Sequence, residues 1–229
     1  MIVNKIISKP IFASLAAVTI VLAYILGWST LFTVKDIQVL GSPNTLSEAE
    51  IVRLSEVTLG GQLARINARS TEEKIAQIKW VDNVEISRNW ISGNVGLVVT
   101  VRQPIAYFNT DQVEGQTIDS EGQLFVLPGF SSSELPVISS ASPDGALEAN
   151  TLFTTFPVDF RRSITSMVAT SSTSFIVNSR LKGREIEIKW GDSSEMNLKI
   201  AVIDRLLALP ENKKITSIDL LAPHAPIVR

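Results

Sequence analysis

IFASLAAVTIVLAYILGWSTLF, residues 11–32, is a long apolar stretch that contains no charged side chain. An α-helix of this length would measure about 33 Å, which is enough to cross the hydrocarbon core of a bilayer. Inside hydrocarbon every backbone donor and acceptor needs a partner within the segment, and a helix supplies all of them. The stretch therefore predicts a transmembrane helix that determines where the rest of the chain lies.

A buried core helix and a cleaved signal peptide are the alternatives for this stretch. A signal peptide has an apolar region of only about 7–15 residues and ends in small side chains at its cleavage site. Here the apolar run is longer, and its end from Trp28 to Phe32 is bulky. We therefore predict an uncleaved signal anchor over residues 11–32.

Lysines before the stretch set its predicted orientation. Lys5 and Lys9 precede it without an acidic neighbour, whereas Lys35 and Asp36 cancel each other just after it. Positively charged flanks favour the cytoplasmic side of a membrane. The prediction is a single-pass type II protein of the cell membrane, with residues 1–10 as a cytoplasmic tail and the bulk of the chain extracytoplasmic.

Charge and cysteine content restrict what the exported part can do. Only two of the 21 basic residues precede residue 33, so this part has 19 basic and 23 acidic side chains, a net charge of about −4. Nucleic acids and anionic lipid surfaces require a basic patch, so both are disfavoured as partners. The sequence contains no cysteine, which excludes disulfides and thiolate metal sites. An exported domain of this kind is held by its own core and is typical of a bacterial envelope.

Hydrophobic periodicity predicts the order strand, helix, helix, strand, strand over residues 33–103. Ser47 with Glu50, and Ser70 with Glu73, form two capping boxes that are typical of helix starts. Two helices on one face of a three-stranded sheet make a compact α+β unit. The predicted strands, which alternate apolar and polar side chains, are residues 32–40, 84–90 and 95–101.

Two tryptophans lie beside the second of these strands. Trp80 and Trp90 are either recognition aromatics or core residues between the helices and the sheet. Their position favours the core.

Residues 104–229 predict a mixed, β-rich domain with a C-terminal helix and an edge strand. Residues 129–145, rich in Ser, Pro and Gly, predict a surface loop. The predicted strands are residues 107–108, 117–119, 123–127, 163–171, 175–178, 184–190 and 215–220. The predicted helices are residues 146–156 and 196–209, and the buried stripe of the second is Leu198, Ala201, Val202, Leu206 and Leu209. The tail from residue 222 is expected to remain extended.

Short stretches along the whole chain carry a resemblance to one family. They are residues 34–41 (VKDIQVLG), 80–81 (WV), Val84, 88–90 (RNW), 102–106 (RQPIA), 117–119 (TID) with Gly122, 186–191 (IEIKWG), the helix containing Lys199, 217–220 (SIDL), Pro223 and 226–229 (PIVR). In this order, and behind this type of anchor, they resemble the FtsQ/DivIB family of bacterial cell division proteins. The chain departs from the family pattern at Val101, where Glu is frequent, and at Ile91, where Pro is frequent.

The resemblance implies a POTRA-like docking domain at residues 33–103 and an FtsQ-type β domain at residues 104–229. It also implies a non-enzymatic divisome scaffold at the division septum, which recruits and regulates other septal membrane proteins. The implied partners are single-pass divisome proteins of the FtsB/FtsL or DivIC type and, through them, septal peptidoglycan synthesis. It implies no catalytic residue, cofactor, metal, nucleic acid or small-molecule substrate.

The residues give catalysis little support. His224 is the only histidine, which removes most catalytic triads and histidine metal sites. The acidic pairs Asp119/Glu121 and Asp192/Glu195 are of a type that glycosidases use, but both lie in predicted turns, where carboxylates bind backbone groups. A Ser–Lys pair requires a buried lysine, and every lysine here is expected to lie beside charge or solvent. We therefore predict that the protein is not an enzyme.

The C-terminal segment is the predicted partner site. A last strand at residues 215–220 with an extended tail offers unpaired backbone groups to a second chain, the arrangement called β-augmentation. In the family that the chain resembles, this end of the β domain takes up a strand from a partner. The predicted contact residues are Ile215, Ser217, Leu220, Leu221, His224, Ile227, Val228 and Arg229. A second surface is predicted on the POTRA-like unit, along residues 84–90 or near Ile37.

Two other functions stay open at this stage. One is a different envelope docking protein with a POTRA unit, although those usually carry tandem repeats or a barrel. The other is a membrane-anchored hydrolase, which an assay of the exported part on peptidoglycan would reveal.

Overall fold

The computed structural model describes residues 9–229, with side chains except at positions 9–11, 26 and 28. Residues 1–8 of the predicted tail lie outside the described residues. Helix α1 (Lys9–Trp28) contains most of the apolar stretch but ends four residues before residue 32, the predicted end of the transmembrane helix. Among the residues that the structure describes, we find no helix with the length and apolarity needed to cross a membrane. The chain divides into two compact units, the first ending at Val101 and the second beginning at Arg102.

The first unit contains the predicted strand–helix–helix–strand–strand order. After a 3₁₀ turn (Thr30–Phe32), its elements are β1 (Asp36–Leu40), α2 (Thr45–Ser55), a 3₁₀ turn (Leu63–Arg65), α3 (Ala68–Ile75), β2 (Val81–Arg88) and β3 (Asn94–Val101). The sheet order is β1-β3-β2, with β3 parallel to β1 and antiparallel to β2. Alternate side chains of β3, together with Ile51 and Ile75 from the helices, are buried and form the core of this unit.

Both helices of this unit begin earlier than their capping boxes predict. The side-chain oxygen of Asn44 accepts a hydrogen bond from the Ser47 N–H at 2.9 Å, and that of Asn67 accepts one from the Ser70 N–H at 3.2 Å. The two serines therefore lie inside α2 and α3, and the prediction that they are caps is wrong. Asparagine caps a helix as well as serine does, so the asparagine that comes first in the chain determines the start.

The two tryptophans differ in environment. Trp80 is buried, which confirms the prediction, whereas Trp90 is exposed. The core prediction is wrong for Trp90 because this residue lies beyond the end of β2, at the tip of the β2–β3 hairpin.

The second unit is built on one nine-stranded mixed sheet with helices, which agrees with the predicted α+β class. Its strands are β4 (Ala106–Phe108), β5 (Gln116–Ile118), β6 (Leu124–Val126), β7 (Val137–Ser140), β8 (Ile164–Ser171), β9 (Ser174–Leu181), β10 (Arg184–Gly191), β11 (Ser217–Asp219) and β12 (Ile227–Val228). Its helices are α4 (Pro143–Thr155), α5 (Val158–Arg161) and α6 (Met196–Ala208). The strand order is β12-β11-β10-β9-β8-β7-β4-β5-β6.

Strand β10 shows why one face of this sheet is buried. Ile186, Ile188 and Trp190 are buried, and Glu185 and Glu187 between them are exposed, as the alternation predicts. The Trp190 ring packs edge-on against Phe156, which follows α4, with ring centres 4.8 Å apart. Side chains from α4 and α6 complete the same hydrophobic cluster.

Two predictions for this unit need correction. The predicted loop over residues 129–145 contains β7, which pairs in parallel with both β4 and β8. The buried face of α6 is Lys199, Ile203 and Leu207, while Ala201 and Leu209 of the predicted stripe are exposed. The stripe was misplaced because a lysine occupies a position on the buried face.

Candidate partner-binding edge

The edge of the large sheet at the C-terminus is β12 rather than β11. Strand β11 pairs in parallel with β10 on one side and antiparallel with β12 on the other. The tail turns back at Ala222, whose carbonyl oxygen accepts a hydrogen bond from the Ala225 N–H at 2.9 Å. The expectation of an open strand at residues 215–220 with an extended tail is therefore wrong, because the tail covers β11 and provides the edge itself.

Backbone hydrogen bonds show which groups of β12 point to the open side. The Arg229 N–H donates to the Ser217 carbonyl oxygen at 3.0 Å, and the Arg229 carbonyl oxygen accepts from the Ser217 N–H at 3.1 Å. Backbone groups of successive residues in a strand point to opposite sides. The N–H and C=O of Val228 therefore point away from β11. Within the described chain no further strand pairs there.

The predicted contact residues fall into two groups by burial. Ile215 and Leu220 are buried in the hydrophobic core. The group with accessible surface is Ser217, Leu221, His224, Ile227, Val228 and Arg229. Because Ile215 and Leu220 cannot reach a partner with their side chains, we remove both from the contact set. Ile227 is 58% exposed and is the largest apolar side chain on the edge strand itself.

The turn after β10 holds the tail in place. Gly191, the last residue of β10, has a φ of +73°, which favours glycine, and a Cβ added there would lie 3.0 Å from Leu221 Cδ2. Pro223 is buried, and His224 Nε2 lies 3.3 Å from Glu195 Oε1. Contacts on both sides of the turn at Ala222 therefore position β12 along β11.

Lys199 is a buried lysine that the sequence did not predict. It is 2% exposed, and its Nζ donates to the Asp192 carbonyl oxygen at 2.9 Å and to Asp192 Oδ1 at 3.2 Å. Nζ also lies 5.4 Å from the centre of the Trp190 ring. Hydrogen bonds from Ser194 and then from Lys199 lower the pKa of Asp192 to about 2. The Ser194 hydroxyl also donates to Asp192 Oδ1, at 2.5 Å, so the three groups connect α6 to the turn that follows β10.

The other acidic pair also binds backbone and arginine. Asp119 Oδ2 accepts from Arg102 Nη1 at 2.7 Å, and its Oδ1 accepts from the N–H groups of Glu121 and Gln123 at 2.9 and 2.8 Å. Burial of Asp119 opposes its ionisation, but these hydrogen bonds outweigh burial and hold the pKa of Asp119 below its usual value. Both acidic pairs predicted from the sequence are thus explained by their contacts within the fold.

The fold and the edge define a class of protein: a POTRA domain followed by a β domain with a free terminal strand. The family model of the FtsQ-type POTRA domain matches residues 32–102. The family model of the FtsQ/DivIB C-terminal domain matches residues 106–220, and this second match alone covers half of the chain. The chain belongs to the FtsQ/DivIB family of cell division proteins, which are non-catalytic. This confirms the resemblance seen in the sequence. The second match ends before β12.

A curated relative supports the same family. Cell division protein FtsQ of Corynebacterium glutamicum is 25% identical over 148 residues. The alignment covers 62% of this chain and 62% of the relative, so the chain spans less than two thirds of that relative's length.

The second predicted surface lies on the sheet of the first unit. Strand β3 is central there, so β1 and β2 are both edge strands. Ile37 is in β1, and residues 84–88 are in β2. The prediction of a partner surface on one of these edges stays a prediction.

Proposed function

We propose that this protein is a non-enzymatic divisome scaffold that binds a partner strand along β12. The observation that carries the proposal is the orientation of the Val228 N–H and C=O, which face the open side of the nine-stranded sheet. An extended segment of another chain that pairs there satisfies both groups and becomes a tenth strand. Membership of the FtsQ/DivIB family supports a role in cell division.

Side chains beside the edge give the interaction its specificity in this proposal. Leu221, His224, Ile227 and Arg229 are exposed and flank the backbone groups that pair. Two of them are apolar and two are basic or polar, so they favour a partner strand with apolar and acidic positions. Single-pass division proteins of the FtsB/FtsL or DivIC type are the proposed partners. Through them the protein regulates septal peptidoglycan synthesis.

The proposal places the protein in the cell membrane at the division septum. Residues 11–32 form an uncleaved type II anchor, with residues 1–10 in the cytoplasm. This part of the proposal is supported by the lack of charge in residues 11–32 and by the many apolar side chains that are exposed on α1. Residues 33–103 form the POTRA domain and residues 104–229 the β domain.

Photo-crosslinking in growing cells tests the partner edge. A photoreactive amino acid replaces Ile227, which is exposed on β12, or Val126, which is exposed on β6 at the opposite end of the same sheet. We expect the probe at 227 to capture another single-pass division protein and the probe at 126 to capture none. Capture at 126 without capture at 227 would refute the proposed edge.

A further inference from the structure

Two loops of the first unit converge on the short segment that follows α1 and its 3₁₀ turn. The Val34 N–H donates to the Gly61 carbonyl oxygen, and the Val34 carbonyl oxygen accepts from the Gly60 N–H, both at 2.8 Å. On the other side the Lys35 N–H donates to the Gly93 carbonyl oxygen at 2.9 Å. Residues 57–62 and 89–93 therefore flank residues 33–35.

The second of these loops also contacts the end of the apolar stretch. The Trp90 ring lies edge-on to the Phe32 ring, with ring centres 6.0 Å apart. Arg88 Nη1 donates to the carbonyl oxygens of Leu63 and Ile66, and its guanidinium carbon lies 5.8 Å from the centre of the Trp90 ring. These contacts fix the hairpin tip beside the point where α1 and its 3₁₀ turn lead into the first unit.

Neither loop has a charged side chain, and both expose apolar ones. Residues 57–62 read VTLGGQ and residues 89–93 read NWISG. Ile91 is 95% exposed at the hairpin tip, and Leu59 is 68% exposed in the other loop. Single exposed apolar residues are common on protein surfaces. Here, however, two apolar loop tips and the exposed Leu31 all adjoin one segment, and we call Leu31, Leu59, Trp90 and Ile91 the apolar rim.

We propose that the apolar rim inserts into the head-group region of the membrane in which residues 11–32 are the proposed anchor. This proposal rests on the proposed anchor: if the chain leaves the hydrocarbon near Phe32, residues 33–35 extend at most about 10 Å beyond it, and the head-group region there is roughly 5–8 Å deep. The loops that bind this segment lie at the same depth. Transfer of apolar side chains from water into this region is favourable, and tryptophan is enriched at this interface.

Lipid is the occupant that the rim's chemistry favours. Uncharged loop tips insert without a requirement for anionic lipid, which agrees with the negative net charge of the exported part. Continuity with the anchor keeps the rim at the bilayer surface whether or not a partner protein is present. The interaction fixes the height and tilt of the first unit above the membrane.

Single cysteines test the rim directly, because the sequence contains no other cysteine. Full-length variants Ile91→Cys and Leu59→Cys carry an environment-sensitive fluorophore in phosphatidylcholine vesicles, some with bromine near the head groups and some with bromine near the chain ends. We expect blue-shifted emission and stronger quenching by the shallow bromine. Leu46→Cys is the matched control, since Leu46 is 82% exposed but lies at the opposite end of α2 from residues 57–62. Its label should emit as in water.

A label in α1 separates failure of the rim from failure of the anchor. Val18→Cys should be quenched most by the deep bromine. If position 18 is quenched while positions 59 and 91 emit as in water, the rim proposal is overturned and the anchor stands. If position 18 is not quenched, both are overturned. Shielding of position 91 only after a partner protein is added would also overturn the rim proposal, because the surface would then bind protein rather than lipid.

Discussion

At the scale of single residues, Asp119 shows how the family's short motifs are connected. Arg102 belongs to the RQPIA stretch and Asp119 to the TID stretch, and the two side chains form an ion pair at 2.7 Å that is mostly buried. Two backbone N–H groups complete the coordination of the carboxylate. The pair therefore joins the first residue of the second unit to its β5–β6 hairpin.

The lowered pKa of Asp119 predicts a loss of stability in acid. Because the folded-state pKa lies below the usual value of about 3.9, the contribution of this carboxylate is fully present above that value and is lost as pH falls through the folded pKa. The unfolding free energy of Asp119→Asn, compared with the unchanged protein between pH 7 and pH 3, measures this contribution. We expect the difference to shrink towards pH 3. A difference that stays constant or grows in acid would contradict the assignment.

The residue-scale features that the sequence did not predict share a cause. Lys199 lies on the apolar face of α6. It can be buried there because the carbonyl oxygen and Oδ1 of Asp192, in the turn after β10, accept hydrogen bonds from its Nζ. Asn44 and Asn67 each precede by three residues a serine that could also cap the helix. Because asparagine and serine are about equally good N-caps, the residue types do not show which one begins the helix. Contacts of this kind depend on the folded chain, so a local pattern cannot specify them.

At the scale of elements, Gly191 at the end of β10 helps to position β12 through its close approach to Leu221. Gly191→Ala introduces a methyl group where only 3.0 Å is available, in addition to the strain of a positive φ. Backbone strain at a positive φ costs about 1–2 kcal/mol, and the added methyl group displaces Leu221, so the tail should open more often. We predict that hydrogen exchange at the Ser217 N–H, which is bonded to Arg229, becomes about tenfold faster, equivalent to about 1.4 kcal/mol.

Gly183→Ala is the control for this prediction. Gly183 also has a positive φ, of +77°, but no atom lies within 4 Å of an added Cβ. The variant therefore carries the backbone strain without the contact with Leu221. If both variants raise exchange at Ser217 equally, the clamp on the tail is not the cause.

Elements with long alternating patterns could be predicted from the sequence, and the short ones could not. Strands β3 and β10 show clear alternation over eight residues each, and both helices of the first unit exist where the sequence predicts helices, although their starts differ and α3 ends at Ile75. Strand β7 has four residues within a Ser- and Pro-rich segment, and β12 has two. Both exist because distant strands pair with them, so the true edge of the sheet could be found only in the structure.

At the scale of the whole molecule, we propose that the protein acts by binding other proteins outside the membrane. Its central claim is that main-chain groups of β12 form hydrogen bonds with a partner. Residues 215–229, which the sequence predicts as one partner surface, therefore divide into two roles. Ile215 and Leu220 are buried in the core, whereas the outward backbone groups of Val228 are the ones proposed to bind the partner.

Replacement of Val228 tests this claim most directly. Proline removes the outward N–H while leaving the bonds between Arg229 and Ser217, and threonine keeps the N–H with a side chain of similar shape. Loss of one donor that leaves the partner's acceptor unpaired costs about 2 kcal/mol, or roughly 30-fold in affinity. The measurement is the affinity of the full-length protein in a bilayer for the division protein that crosslinks at residue 227. The account predicts that Val228→Pro binds roughly 30-fold more weakly than Val228→Thr, and equal affinity of the two variants would contradict it.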